Sequence, residues 1–125
     1  MKEYKKYFIL NATPEEVYMA LTNPLTIKLW TDEEATMSTE INSEFSIMGG
    51  SIVGKNLEFV ENKKLVQQWY FGDNEPSIVT FKFHTHPEGT SVEVRQTNIP
   101  IDDYIDIVEG WDNAFFGNLQ MYFST

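Results

Sequence analysis

Apolar and polar residues alternate through the middle of this 125-residue chain, then give way to three-and-four spacing near its end. Ser77–His84 sets Val79, Phe81 and Phe83 against Thr80, Lys82 and His84, which predicts a half-buried strand. Leu65–Phe71 is rich in aromatic and β-branched residues and puts Leu65, Gln67, Trp69 and Phe71 on one face. Thr90–Asn98 turns Val92 and Val94 inward and Glu93 and Arg95 outward, and Glu44–Met48 pairs Phe45 with Ile47. Ile52–Val60 is a further strand, and Gly54 inside it predicts a bulge or a close approach by another backbone. Gly49-Gly50-Ser51, Glu61–Lys64, Gly72–Pro76 and Pro87-Glu88-Gly89 supply the turns. At the other end of the chain, Glu3–Asn11 reads as a first strand, apolar at Tyr7–Leu10.

Helical signals flank these strands. Thr13 is a good N-cap, Pro14 suits the first helical position and Glu16 completes a capping box, so a helix is predicted over Pro14–Leu21 with Val17, Ala20 and Leu21 inward. Thr22-Asn23-Pro24 stops it and starts a short second helix, Leu25–Trp30, whose Leu25, Leu29 and Trp30 are expected to pack together. Thr31–Ser43 is polar and acidic and reads as a short strand and a turn. From Thr97 to Thr125 the chain reads as one long terminal helix. Its stripe is Ile101, Tyr104, Ile105, Val108, Trp111, Asp112, Phe115, Leu119 and Tyr122, widened by Phe116 and Phe123. The expected architecture is α+β: a curved antiparallel sheet wrapped around a long C-terminal helix, with two short helices after the first strand.

Composition narrows the functions. One domain over residues 1–125 fits the length. The chain has no cysteine, so disulfide and thiolate chemistry are excluded. No apolar run is long enough to cross a bilayer and the first residues do not read as a signal peptide, so the expected location is cytoplasmic. Nine basic and nineteen acidic residues give a formal charge of −10, which argues against nucleic acid and anionic membrane as partners.

Candidate chemistry is sparse. His84 and His86 have metal-like spacing but no carboxylate-rich or cysteine partner nearby, so no metal site is expected. Asp102, Asp103, Asp106, Glu109 and Asp112 crowd the start of the terminal helix; the helix dipole favours the first of them without any catalysis, while Glu109 and Asp112 sit close to the inward stripe and are expected at the helix edge unless they meet a ligand group or a backbone donor. There is no nucleophile elbow and no phosphate loop. No catalytic set and no cofactor are expected. Trp30, Gln67, Trp69, Phe81, Tyr104, Val108, Trp111, Asp112, Phe115 and Tyr122 combine large side chains with a few polar tips, and they are the candidate lining of a cavity between sheet and helix.

Three stretches and one tripeptide carry a resemblance: ATPEEVYMALTNPLTIKLW, FSIMGGSIVGKNLEFVENKKLVQQWYF, SIVTFKFHTHPEGTSVEVRQTNIP and EGW. The matching features are Phe45–Gly50, Gly54, Lys64–Trp69, Val79–Phe81, Gly89-Thr90, Ile99-Pro100 and Gly110-Trp111, spread over nearly the whole chain. In order and spacing the chain resembles the C-terminal domain of activators of the Hsp90 chaperone's ATPase. That resemblance implies the helix-grip fold of the START and birch-pollen-allergen superfamily, with a cavity between sheet and helix. The eukaryotic activator carries a further N-terminal domain, and residues 1–125 are expected to be the grip domain alone. The first functional expectation is a non-enzymatic domain binding a small hydrophobic or amphipathic ligand. The alternatives are a protein-interaction module or minimal chaperone regulator, and an enzyme acting on an aromatic or polyketide-like substrate. Monomer and homodimer are both open at this point.

Overall fold

In the computed structural model, residues 1–124 are described. The first strand, β1 (Lys2–Leu10), is followed by two helices, α1 (Pro14–Thr22) and α2 (Pro24–Thr31). Five strands come next: β2 (Glu44–Ile47), β3 (Ile52–Val60), β4 (Lys64–Trp69), β5 (Ser77–His86) and β6 (Gly89–Ile99). The terminal helical segment contains α3 (Tyr104–Gly110), a π-helical turn (Trp111–Phe115) and α4 (Phe116–Tyr122). The sheet is antiparallel, with strand order β1-β6-β5-β4-β3-β2. Its inner face closes on the terminal helix, and α1 and α2 cap one end, which is the helix-grip arrangement.

Local chemistry explains the helix starts. The hydroxyl of Thr13 accepts from the amide of Glu16, and the carboxylate of Glu16 accepts from the amide of Thr13, which completes the capping box. Asn23 ends α1 and caps α2, its side-chain oxygen accepting from the amides of Leu25 and Thr26. Val17, Ala20 and Leu21 are buried as expected.

Several expectations need correction. Leu25 and Leu29 do not pack with Trp30: both are exposed, and α2 buries Ile27 and Trp30 instead. Thr31–Ser43 holds the expected turn, at Ile41 and Asn42, but no strand, just a bridge between Thr36 and Ser46 at the free side of β2. The fourth strand ends at Trp69, so Phe71 lies beyond it. The terminal helix begins near Tyr104 rather than Thr97, because Thr97–Ile99 complete β6 and Ile101–Asp103 form a 3₁₀ turn. Ile101 and Ile105 are exposed rather than part of a buried stripe.

Gly54 meets the second of its two expectations. The β3 register shift falls between Asn56 and Glu58, not at Gly54. A Cβ at Gly54 would collide with the carbonyl oxygen of Gln68 on β4, so the close backbone approach is real.

Candidate functional site

The middle of the grip is filled with rings. Trp111, 2% exposed, stands at their centre. Its ring lies 5.0 Å from Trp69, 4.7 Å from Phe115, 5.8 Å from Phe81 and 5.9 Å from Phe116, between ring centroids. Tyr4 stacks on it at 6.4 Å, and Trp30 meets Phe115 edge-on at 5.1 Å. Such spacings favour aromatic pairs and leave little void. A remnant of about 10 Å³ persists among Ile27, Trp30, Leu65, Gln67, Phe81 and Phe115. That volume is at the lower limit for one water.

A buried polar relay holds the wall beside these rings. Trp69 Nε1 donates to Gln67 Oε1 at 2.9 Å, and Gln67 Nε2 donates to Asn56 Oδ1 at 3.0 Å. Asn56 Nδ2 in turn donates to Ser43 Oγ and to the carbonyl of Ser38. Gln67 and Asn56 are therefore buried with their amides in use, as burial of an amide requires. A second bond, Trp111 Nε1 to Gln96 Oε1 at 2.9 Å, ties the helix to β6. Gln96 Nε2 has no partner, nor does the hydroxyl of Tyr4, its cross-strand neighbour. Burial pushes the Tyr4 hydroxyl pKa up to about 12, and the negative charge of Asp112 and then Tyr104 add to the rise.

One groove of about 220 Å³ opens where the sheet and the terminal helix part. Met48, Ser51, Ile52 and Val53 line it from the β2–β3 connection, and Trp69, Tyr70 and Phe71 from the end of β4. The helix supplies Asp106, Ile107, Gly110, Trp111, Ala114 and Phe115. Gly110 and Ala114 are small residues four apart, and their missing bulk leaves the opening. Met48 holds a left-handed backbone, φ 55°, on the rim.

The π-helical turn shapes this wall. Phe116 bonds back to the carbonyl of Trp111, which inserts one extra residue into the helical turn. Trp111, Phe115 and Phe116 consequently all face the sheet. The register behind them advances by one: Phe123 packs against the core, while Tyr122 is 37% exposed.

The structure distributes the predicted cavity residues in three ways. Trp69, Trp111 and Phe115 line the groove together. Trp30, Gln67 and Phe81 lie behind it, packed around the small remnant. Tyr104, Val108, Asp112 and Tyr122 lie outside the groove lining; Tyr104 and Val108 are partly buried. Asp112 is exposed and pairs with Lys6 at 2.7 Å. Glu109 is exposed as well. Met48, Ile52, Tyr70 and Ile107 were not anticipated, and the Gly110/Ala114 spacing was the available signal.

Among the described residues, no group of three or more histidine, cysteine or acidic side chains is placed to hold a metal. His84 contacts Glu93 at 3.1 Å, and His86 accepts from the amide of Glu88. No helix among the described residues is long and apolar enough to cross a membrane.

Comparison with known proteins places this architecture. Residues 11–124 match the family model described as Activator of Hsp90 ATPase homolog 1-like protein. The activator of 90 kDa heat shock protein ATPase homolog of Dictyostelium discoideum is 31% identical over 117 residues, covering 90% of this chain and 30% of the relative. The chain spans about a third of the length of the curated relatives it matches. The crystal structure of an HSP90 activator from Plasmodium falciparum superposes with a TM-score of 0.87 at 22% identity, covering 96% of this chain and 94% of that one. The solution structure of an Aha1 dimer from Colwellia psychrerythraea superposes with a TM-score of 0.82 at 19% identity, covering 98% and 96%. With a family model matched from α1 to the end of the terminal helix, the chain belongs to the Activator of Hsp90 ATPase homolog 1-like family.

Proposed function

We propose that this chain is a protein-interaction module that engages an Hsp90-type chaperone and alters its ATP turnover. The observation that carries this reading is the family match over residues 11–124, with a 31% identical relative described as an activator of that ATPase. The filled centre of the grip supports it, because a packed aromatic core favours a rigid surface for a protein over a container for a ligand. Calorimetric titration of the chain into a purified Hsp90-type chaperone tests the reading. Saturable binding is expected, and no heat above dilution at micromolar concentrations overturns it.

A second reading rests on the groove. About 220 Å³ with an apolar wall of Trp69, Trp111 and Phe115 accepts part of a small hydrophobic or amphipathic molecule. In this reading Trp30, Gln67 and Phe81 stiffen the wall from behind, and Tyr104, Val108, Asp112 and Tyr122 have no direct contact. Replacing Ala114 by Trp fills the groove and is expected to abolish enhancement of an anilinonaphthalene dye's fluorescence. Equal enhancement by wild type and variant removes the groove as the site.

A further inference from the structure

The acidic chain concentrates positive charge on one surface. Lys5, Lys64, Lys82 and Arg95, four of its nine basic residues, line a shallow depression on the outer face of the sheet. Two of the juxtapositions are between like charges. Lys5 on β1 stands directly opposite Arg95 on β6, and Lys64 on β4 directly opposite Lys82 on β5. Like charges directly opposite each other on a sheet are destabilising. Lysine on an edge strand guards against strand pairing, but that accounts only for Lys5, since β4, β5 and β6 are interior strands. Solubility does not account for them either, because the net charge of −10 already provides it.

Internal neutralisation is incomplete. Arg95 reaches Glu3 at 3.0 Å and Lys64 reaches Glu58 at 3.3 Å. Among the described residues, Lys5 and Lys82 have no acid within 4.0 Å of their ammonium groups. Glu93 stands opposite Lys82 and Tyr7, and its carboxylate is occupied by His84. Burial raises the Glu93 pKa, but hydrogen bonds from His84 and Tyr7 and the charges of Lys5 and Lys82 outweigh it and hold it below its ordinary value.

We infer that the outer face of β1, β6, β5 and β4 is a docking surface for an acidic protein segment, whose carboxylates Lys5, Lys82, Lys64 and Arg95 receive. Charge complementarity selects the occupant. The cations are interrupted by Glu93, which a continuous phosphate lattice would have to cover, whereas a polypeptide can set a neutral residue there. The −10 charge of the whole chain opposes a long polyanion but only weakly opposes a short acidic stretch. The partner's identity rests on the chaperone reading above; the surface itself does not.

The test uses the whole chain labelled with nitrogen-15 and an oligoglutamate peptide as the probe, at low salt. Amide shifts are expected to concentrate on β1 and β4–β6, and the affinity is expected to fall on the order of tenfold in Lys5→Glu/Lys82→Glu. The control Lys2→Glu/Lys28→Glu changes the net charge equally away from the depression and is expected to keep wild-type affinity. Folding of both variants is checked by their amide spectra, and Lys5→Gln/Lys82→Gln, which introduces no new charge, is expected to weaken binding less. No shifts, shifts outside these strands, equal loss in the control, or tighter binding of a single-stranded oligonucleotide of equal charge would each overturn the inference. Oligoglutamate binding with no chaperone binding defeats the chaperone reading and leaves the surface standing. Chaperone binding without oligoglutamate binding does the reverse.

Discussion

Replacing Trp111 by Phe, alone and together with Gln96→Leu, probes how the terminal helix is held to the sheet. Phe keeps most of the ring contacts to Trp69, Phe81 and Phe115 but loses the bond from Trp111 Nε1 to Gln96 Oε1. Gln96 is fully buried and its Nε2 already lacks a partner, so the single variant strips the side chain of its one bond. An orphaned buried polar group costs about 1–3 kcal/mol, and the lost volume adds about 1 kcal/mol. The expected destabilisation is therefore about 2–4 kcal/mol, a large fraction of the stability of a domain this size. Gln96→Leu alone orphans the indole N–H, although it also removes the unpartnered Nε2, so its cost is the smaller of the two. In the double variant neither partner of this bond is left orphaned, and its cost is expected to fall short of the sum by about 1–2 kcal/mol. Urea unfolding followed by circular dichroism reads this directly. With a slope of about 1–3 kcal/mol per molar, the single Trp111→Phe midpoint drops by roughly 1 M or more. Costs that add to within about 0.5 kcal/mol would refute the claim that this bond anchors the helix.

Three further outcomes follow from the same geometry. Gly54→Ala drives a methyl group into the Gln68 carbonyl and must separate β3 from β4, so a loss of about 3 kcal/mol, the upper end for overpacking, is expected in the same urea assay. The raised Tyr4 pKa favours the folded state fully below pH 10; that contribution is lost as pH climbs from 10 to about 12, and Tyr4→Phe is expected to flatten this part of the stability–pH curve. Asp112→Asn breaks an exposed pair with Lys6 and is expected to cost no more than about 1 kcal/mol in thermal unfolding, with little remaining at high salt.

The strands were legible because alternation fixes which side chains share a face. Phe45 with Ile47, Leu65 with Gln67 and Trp69, and Val79 with Phe81 are all buried as their spacing implied. The capping box at Thr13 was readable for the same reason: it is a local pattern with a local cause. The terminal helix was less legible. A straight helix would bring Tyr122 inward, but the π turn inserts a residue and puts Phe123 against the core. No residue type in Trp111–Phe115 announces that insertion, which accompanies the burial of three large rings, Trp111, Phe115 and Phe116. Ile101 and Ile105 share the spacing of the stripe but not its burial, since both are exposed at the start of the helical segment. Leu25 and Leu29 failed similarly, since α2 turns Ile27 and Trp30 inward. For the groove, the small pair Gly110 and Ala114 was the one signal in the residue types. The opening depends on where these two happen to face the β2–β3 connection.

Steady-state ATP turnover by a purified Hsp90-type chaperone, titrated with the full chain, tests the central claim most directly. A chain that engages the chaperone gives a saturable change in turnover with a midpoint matching the calorimetric affinity. Unchanged turnover at concentrations that saturate binding would contradict it.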